Sequence, residues 1–210
     1  MPAPQDVANV KSALRSEAEA RRAQAAADDD GSAAVRMADN VMSWRRPVAG
    51  DFIGVYWPFR SEIDTRPLIH QLHAAGCVIG LPVVTAKAAP LVFRQWTPDI
   101  VLVADRFGVL IPGPEAAELT PRTVVTPLLA FDRRGYRLGY GGGFYDRTLA
   151  DIRQNTSHMV KAVGIAYAGQ HVISVPRGEY DAALDAILTE QGLIEPKAAQ
   201  NRLNDREDLG

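Results

Sequence analysis

TVVTPLLAFDRRGYRLGYGGGFYDR, Thr123–Arg147, carries the signals of a strand, a loop and a helix in one continuous run. It opens on β-branched, apolar residues closed by Pro127 and crosses a turn rich in Asp, Arg and Gly. It ends at Phe144, where a helical pattern begins that extends to Arg153. The same alternation continues on both sides. DFIGVYWPF (Asp51–Phe59), CVIGLPVV (Cys77–Val84), PLVFRQW (Pro90–Trp96), KAVGIAYAG (Lys161–Gly169) and AALDAILTE (Ala182–Glu190) read as further strands. A helix with Asp64 as N-cap and Pro67 in its first turn runs to Gly76, and another is expected near residue 171. Strands alternating with helices predict an α/β fold: three layers, α/β/α, with a largely parallel, Rossmann-like sheet and helices on both faces.

Before the first strand, Asp6–Ala27 is rich in Ala, Glu, Arg and Gln. Its Val7, Val10 and Leu14 are spaced for one face of an amphipathic helix. The acidic run Asp28–Gly31 reads as a solvated turn into a second helix, Ser32–Trp44. At 210 residues and 47% hydrophobic content the chain is large enough for one substantial core. A single domain is expected over residues 1–195, with a polar, disordered tail at 196–210.

A net charge of −2 gives no global attraction to nucleic acid or anionic membrane, so neither is expected as a partner. No stretch has the length of a membrane span or the apolar core of a signal peptide, and the one cysteine, Cys77, sits in an apolar run as a buried thiol. The expectation is a cytoplasmic monomer. The four histidines show no metal-ligand spacing.

Chemistry concentrates around the glycines. Gly139, Gly141, Gly142 and Gly143 precede a helix, so backbone N–H groups and the helix N-terminus can form a nest for phosphate. Neither the dinucleotide fingerprint nor the P-loop pattern fits. Arg133, Arg134, Arg137 and Arg147 surround the loop with donors suited to phosphate. Asp146, in the first helical turn, either complements the helix dipole or, given a second carboxylate or phosphate oxygens, binds magnesium. Asp185, which interrupts an apolar run, is either that second carboxylate or a strand-end aspartate bonded to backbone. Lys11 and Arg15, four residues apart, share a helix face that either clamps phosphate or is simply solvated. Trp57 and Glu62, in a loop after a strand, suit a flat heteroaromatic ring and its N–H groups, or else serve as core and early-helix anion. Phe93 and Trp96 line the same pocket or the core.

In the order KSALR (Lys11–Arg15), SEID (Ser61–Asp64), LLAFDRRGYRLGYGGGFYDR (Leu128–Arg147), AYAGQ (Ala166–Gln170) and LDAILTE (Leu184–Glu190), the chain resembles the 5-formyltetrahydrofolate cyclo-ligase family. The resemblance runs from Lys11 to about Glu190, and the long central block is its most specific part. It implies ATP-dependent closure of 5-formyltetrahydrofolate to 5,10-methenyltetrahydrofolate, releasing ADP and phosphate and requiring Mg2+. The substrates it implies include polyglutamylated forms of the folate.

Carried over residue by residue, the resemblance assigns Lys11, Arg15 and Arg137, Leu138, Gly139, Tyr140, Gly141, Gly142, Gly143, Phe144 and Tyr145 to ATP. Trp57, Glu62 and Tyr140–Phe144 are assigned to substrate, and Asp146 and Asp185 to the metal. The resemblance implies Arg137, Tyr140, Gly142 and Asp146 as the catalytic residues. Three departures stand out: Ile111 precedes Pro112 where the family commonly has Glu, Tyr180 replaces a common His before Asp181, and Gly142 occupies a position that is Lys in some eukaryotic members. Other readings are an ATP-using paralogue acting on a different heterocycle and a non-catalytic folate-binding module.

Overall fold

The structure is a computed structural model that describes residues 4–178 and 181–196, with side chains from Val10 onward. In chain order the elements are α1 (Pro4–Ala27), α2 (Ala33–Trp44), β1 (Phe52–Gly54), α3 (Arg66–Ala74), β2 (Val78–Val83) and β3 (Val92–Trp96). Then come β4 (Leu102–Ala104), β5 (Leu110–Pro112), β6 (Glu118–Leu119), β7 (Thr123–Thr126), β8 (Ala130–Phe131) and β9 (Arg137–Leu138). The chain continues through α4 (Phe144–Asn155), β10 (Lys161–Ile165), a 3-10 turn (Ala168–Gln170), β11 (Ala186–Thr189) and β12 (Gly192–Ile194).

The main sheet has the order β12-β11-β10-β7-β1-β2-β3-β6. From β11 to β2 neighbouring strands are parallel, and the flanking strands β12, β3 and β6 are antiparallel to their neighbours. Successive residues point to opposite faces. Val125, Val163, Ile165, Ala186 and Leu188 face one core with Met37 and Val41 of α2 and Leu68, Ile69 and Leu72 of α3. Val124, Ala162 and Ile187 face the other, with Leu149 and Ile152 of α4. Burial on both faces explains the unbroken apolar runs of β7, β10 and β11. The expected three layers are therefore present. Helix α1 lies across the β8–β9 hairpin, packing Leu14 and Ala18 against Leu129, Ala130, Leu138 and Val175.

Several expectations change in detail. Thr65, not Asp64, holds the N-cap position of α3; its hydroxyl donates to Tyr56 O at 2.6 Å, while Asp64 Oδ1 accepts the Arg66 N–H at 2.9 Å. The helix near residue 171 is a single 3-10 turn, in which Gln170 holds Leu128 O and Leu129 O with its amide. The ordered chain runs through β12, which pairs with β11, and includes Pro196, the first residue of the expected tail, which is buried against Gly135. Residues 197–210, where a disordered tail was expected, lie outside the described residues, as does Tyr180. Phe93 and Trp96 are core residues. Cys77 is buried, and loss of hydration raises its thiol pKa. The described residues contain no helix long and apolar enough to cross a membrane.

The strand order reverses direction at β1. After β1 the chain moves through α3 to β2 on one side; after the β3–β6 excursion it returns to β7 on the other. Loops leaving the carboxyl ends of β1 and β7 must diverge there, which opens a crevice.

Candidate active site

That crevice is a pocket of about 510 Å³. Its walls come from the carboxyl ends of β1 (Trp57, Glu62), β2 (Pro82, Val84) and β7 (Pro127), and from the loop Arg137–Asp146. Helix α1 adds Lys11 and Arg15, and the β4–β5 hairpin adds Phe107 and Val109. The structure thus brings together Lys11, Arg15, Trp57, Glu62 and every residue of the glycine loop. Arg133 and Arg134 do not line it; Arg134 is bonded to Asp132 at 2.6 Å, beneath the hairpin.

The glycine loop is shaped by cations from outside it. Arg15 Nε donates to Gly139 O at 3.0 Å, and Arg147 Nη2 donates to Gly142 O at 2.6 Å. Gly141 adopts φ +93°, and a Cβ there would lie 2.9 Å from the Arg15 guanidinium. The loop needs glycine at this position both for its left-handed backbone and for the close approach of Arg15. Gly143, at φ +64°, holds the N-cap position of α4, so the loop feeds directly into a helix N-terminus.

At one end of the pocket, charges are paired. Lys11 Nζ is hydrogen bonded to Asp181 Oδ2, which also accepts the Gly178 N–H at 2.7 Å. Arg137 Nη2 donates to Asp146 Oδ1 at 2.7 Å, and the Ala182 N–H reaches the same oxygen at 3.1 Å. Asp146 and Asp181 both face the pocket. Asp185 does not. It precedes β11, which runs parallel to β10, and so sits at the amino edge of the parallel core, away from the crevice. There its Oδ2 accepts the Ala162 N–H at 2.7 Å and lies 3.4 Å from Arg153 Nη2, near the C-terminal end of α4. Asp146 is in the first turn of that helix, and seven residues of helix separate the two ends by about 10 Å. Asp185 is a strand-end aspartate bonded to backbone, and the carboxylate beside Asp146 is Asp181. The sequence places both aspartates around the same apolar run; only the start of β11 tells which end of the sheet each occupies.

At the other end the pocket is aromatic and drier. Glu62 Oε2 accepts the Phe59 N–H at 3.0 Å. Burial raises the Glu62 pKa to about 7, against the opposing pull of Arg22 and Arg60. Burial also keeps the phenols of Tyr56 and Tyr145 protonated. Trp57 is half-buried at the wall, Phe59 carries the Arg60 guanidinium over its ring at 5.0 Å, and the tip of the β4–β5 hairpin reaches this wall. Arg22, overlooked in the sequence, is 2% exposed and donates to Ser61 Oγ and to the Tyr140 hydroxyl. The spacing held a signal for it: Arg22 lies seven residues after Arg15, on the same face of α1.

Among the described residues no three His, Cys, Asp or Glu side chains form a self-sufficient metal site. Asp146 and Asp181 nevertheless suit magnesium, which commonly uses one or two carboxylates and completes its shell with phosphate oxygens and water. The arrangement can therefore hold a polyphosphate at the glycines and a flat, hydrogen-bonding ring at Trp57 and Glu62.

Comparison with known proteins finds relatives over most of the chain. The model of the 5-formyltetrahydrofolate cyclo-ligase family matches residues 7–190. The 5-formyltetrahydrofolate cyclo-ligase of Escherichia coli is 38% identical over 158 residues, covering 72% of this chain and 85% of that protein. That of Mycolicibacterium smegmatis is 31% identical over 156 residues, covering 70% and 78%. The solution structure of Aquifex aeolicus 5,10-methenyltetrahydrofolate synthetase superposes with a TM-score of 0.71 at 25% identity, covering 90% of this chain and 93% of that one.

Proposed function

The chain belongs to the 5-formyltetrahydrofolate cyclo-ligase family, and from that premise we propose that the crevice binds ATP beside 5-formyltetrahydrofolate and closes the folate ring between them. The observation that carries this reading is the convergence of Lys11, Arg15, the glycine loop, Trp57 and Glu62 on one pocket at the carboxyl ends of β1, β2 and β7. Lys11, Arg15 and the loop N–H groups receive the phosphates; Trp57 packs on the pterin, and ionised Glu62 accepts its N–H groups.

A formamide is a poor electrophile. Its oxygen attacks the γ-phosphorus, and the bond to ADP breaks. The formyl carbon then carries a phosphate leaving group. The N10 lone pair attacks that carbon, the carbon–oxygen bond breaks to release phosphate, and the N10 proton departs to water or phosphate. The product is the methenyl cation. Both steps need positioning and charge neutralisation more than a covalent nucleophile, and the pocket offers cations and backbone donors rather than one.

Asp146 and Asp181 would hold magnesium, which would supply positive charge to neutralise the phosphates. Lys11 would then exchange Asp181 for phosphate. Mixing the purified protein with 5-formyltetrahydrofolate, ATP and magnesium should raise the ultraviolet absorbance of the methenyl product. No rise above a protein-free control at neutral pH overturns the reading.

A further inference from the structure

Lys11, Arg15 and Arg22 lie within roughly 40° of one another around α1 and span about 16 Å along it. Lys11 and Arg15 face the phosphate end of the pocket. Arg22 stands behind its heterocycle end, almost wholly out of water. A guanidinium in such a place needs partners, because an unpaired buried charge is costly. Its Nε donates to Ser61 Oγ at 3.1 Å, its Nη2 to the Tyr140 hydroxyl, and its Nη1 makes no hydrogen bond but lies 3.5 Å from Glu62 Oε1. The guanidinium also sits 5.4 Å from the centre of the Tyr140 ring. One planar fork thus holds Ser61 and Tyr140, from the turn after β1 and the glycine loop, and sets its charge beside Glu62.

We propose that Arg22 is a positioning residue for the heterocycle end: it keeps Glu62 an anion aimed into the pocket and holds the Tyr140 side chain beside it, while Lys11 and Arg15 of the same helix serve the phosphate end. The inference rests on reading Glu62 as a contact to the substrate ring. The groups that face Glu62 are Arg22 from α1, Arg60 and the Phe59 N–H from its own turn, Tyr56 from the segment after β1, and Tyr145 from the first turn of α4. Arg22 is the principal cation among them. Removing it withdraws the main electrostatic support of the carboxylate against burial.

The test measures methenyl formation across pH for the wild type, Arg22→Gln, Arg22→Lys and Glu62→Gln, with thermal melts to establish folding. In the wild type, kcat/KM for the folate should rise with pH through about 7, and Glu62→Gln should lack that limb. Arg22→Gln moves the midpoint upward by about one pH unit and raises the folate KM about tenfold or more, while the ATP KM changes less than about threefold. Arg22→Lys returns the midpoint towards the wild type because it restores the charge, yet keeps the folate KM raised because an ammonium lacks the fork. If Arg22→Gln does not fold, Arg22→Lys decides the matter: an unchanged folate KM overturns the proposal. A folded Arg22→Gln enzyme with an unmoved midpoint, or with equal rises in both KM values, also overturns it. A wild type that forms no product overturns the cyclo-ligase reading itself, a different result from an active wild type with an unmoved variant.

Discussion

Glu62 carries opposite demands in the ligand-free and working protein. Its pKa is raised from 4.5 to about 7 on folding, so between those values the folded state binds more proton than the unfolded state. Stability therefore falls as pH rises through this window, while a binding role that needs the anion improves. Thermal melts of the ligand-free protein should show Glu62→Gln losing less stability than the wild type between about pH 5 and 8, by on the order of 1–3 kcal/mol, even as its folate KM worsens. The two aspartates near β11 separate cleanly. Asp181→Asn should raise the magnesium requirement for turnover about tenfold with little change in folate KM, because a neutral amide is the weaker partner for a metal. Asp185→Ala should cost about 1–3 kcal/mol of stability, by leaving the Ala162 N–H without its carboxylate, and leave the magnesium dependence where it was. Metal titrations and denaturant melts check both. These two residues also show where sequence reading stops. An aspartate in an apolar run announces a fixed partner, but that partner is decided by which edge of a parallel sheet the residue reaches.

The strongly periodic helices and fully buried strands were legible because burial on both sheet faces leaves long apolar runs. The pair β4–β5 and strand β6 were not, because two or three residues with exposed faces give no period to read. The glycine loop was legible as an anion nest, whereas its supports were not: Arg15 acts across 124 residues and Arg22 across 118. The bonds from Arg15 to Gly139 O and from Arg147 to Gly142 O fix two peptide planes. In a trans peptide, the N–H of the next residue leaves on the opposite side from the carbonyl. Arginines that read as phosphate ligands thereby also orient the backbone donors. Gly141→Ala should disturb this arrangement twice, through a strained φ and by displacing the Arg15 guanidinium. We expect at least a tenfold rise in ATP KM, for about 1.4 kcal/mol or more, measured beside a smaller change in folate KM.

Among the described side chains, α1 meets the rest of the chain through small apolar contacts, Leu14 and Ala18 on the β8–β9 hairpin and Ala25 and Ala26 on the main core, and through its row of cations. The sheet core has no such dependence on charge. Amide hydrogen exchange should therefore be faster in α1 than in β7, β10 and β11, and magnesium-ATP should slow it most from Lys11 to Arg22. Equal protection of helix and sheet without nucleotide would contradict this. The excursion from β3 to β6 has a separate consequence. It leaves the parallel core after β2, supplies Leu91, Phe107 and Val109 to the pocket, contains Ile111, and rejoins the core at β7. The groups proposed to handle phosphate all lie outside it. Divergence can therefore proceed as in a tool with a fixed handle and an exchangeable bit. Insertions or replacements in this one segment could adapt the enzyme to another heterocycle, while the machinery that handles ATP is inherited unchanged.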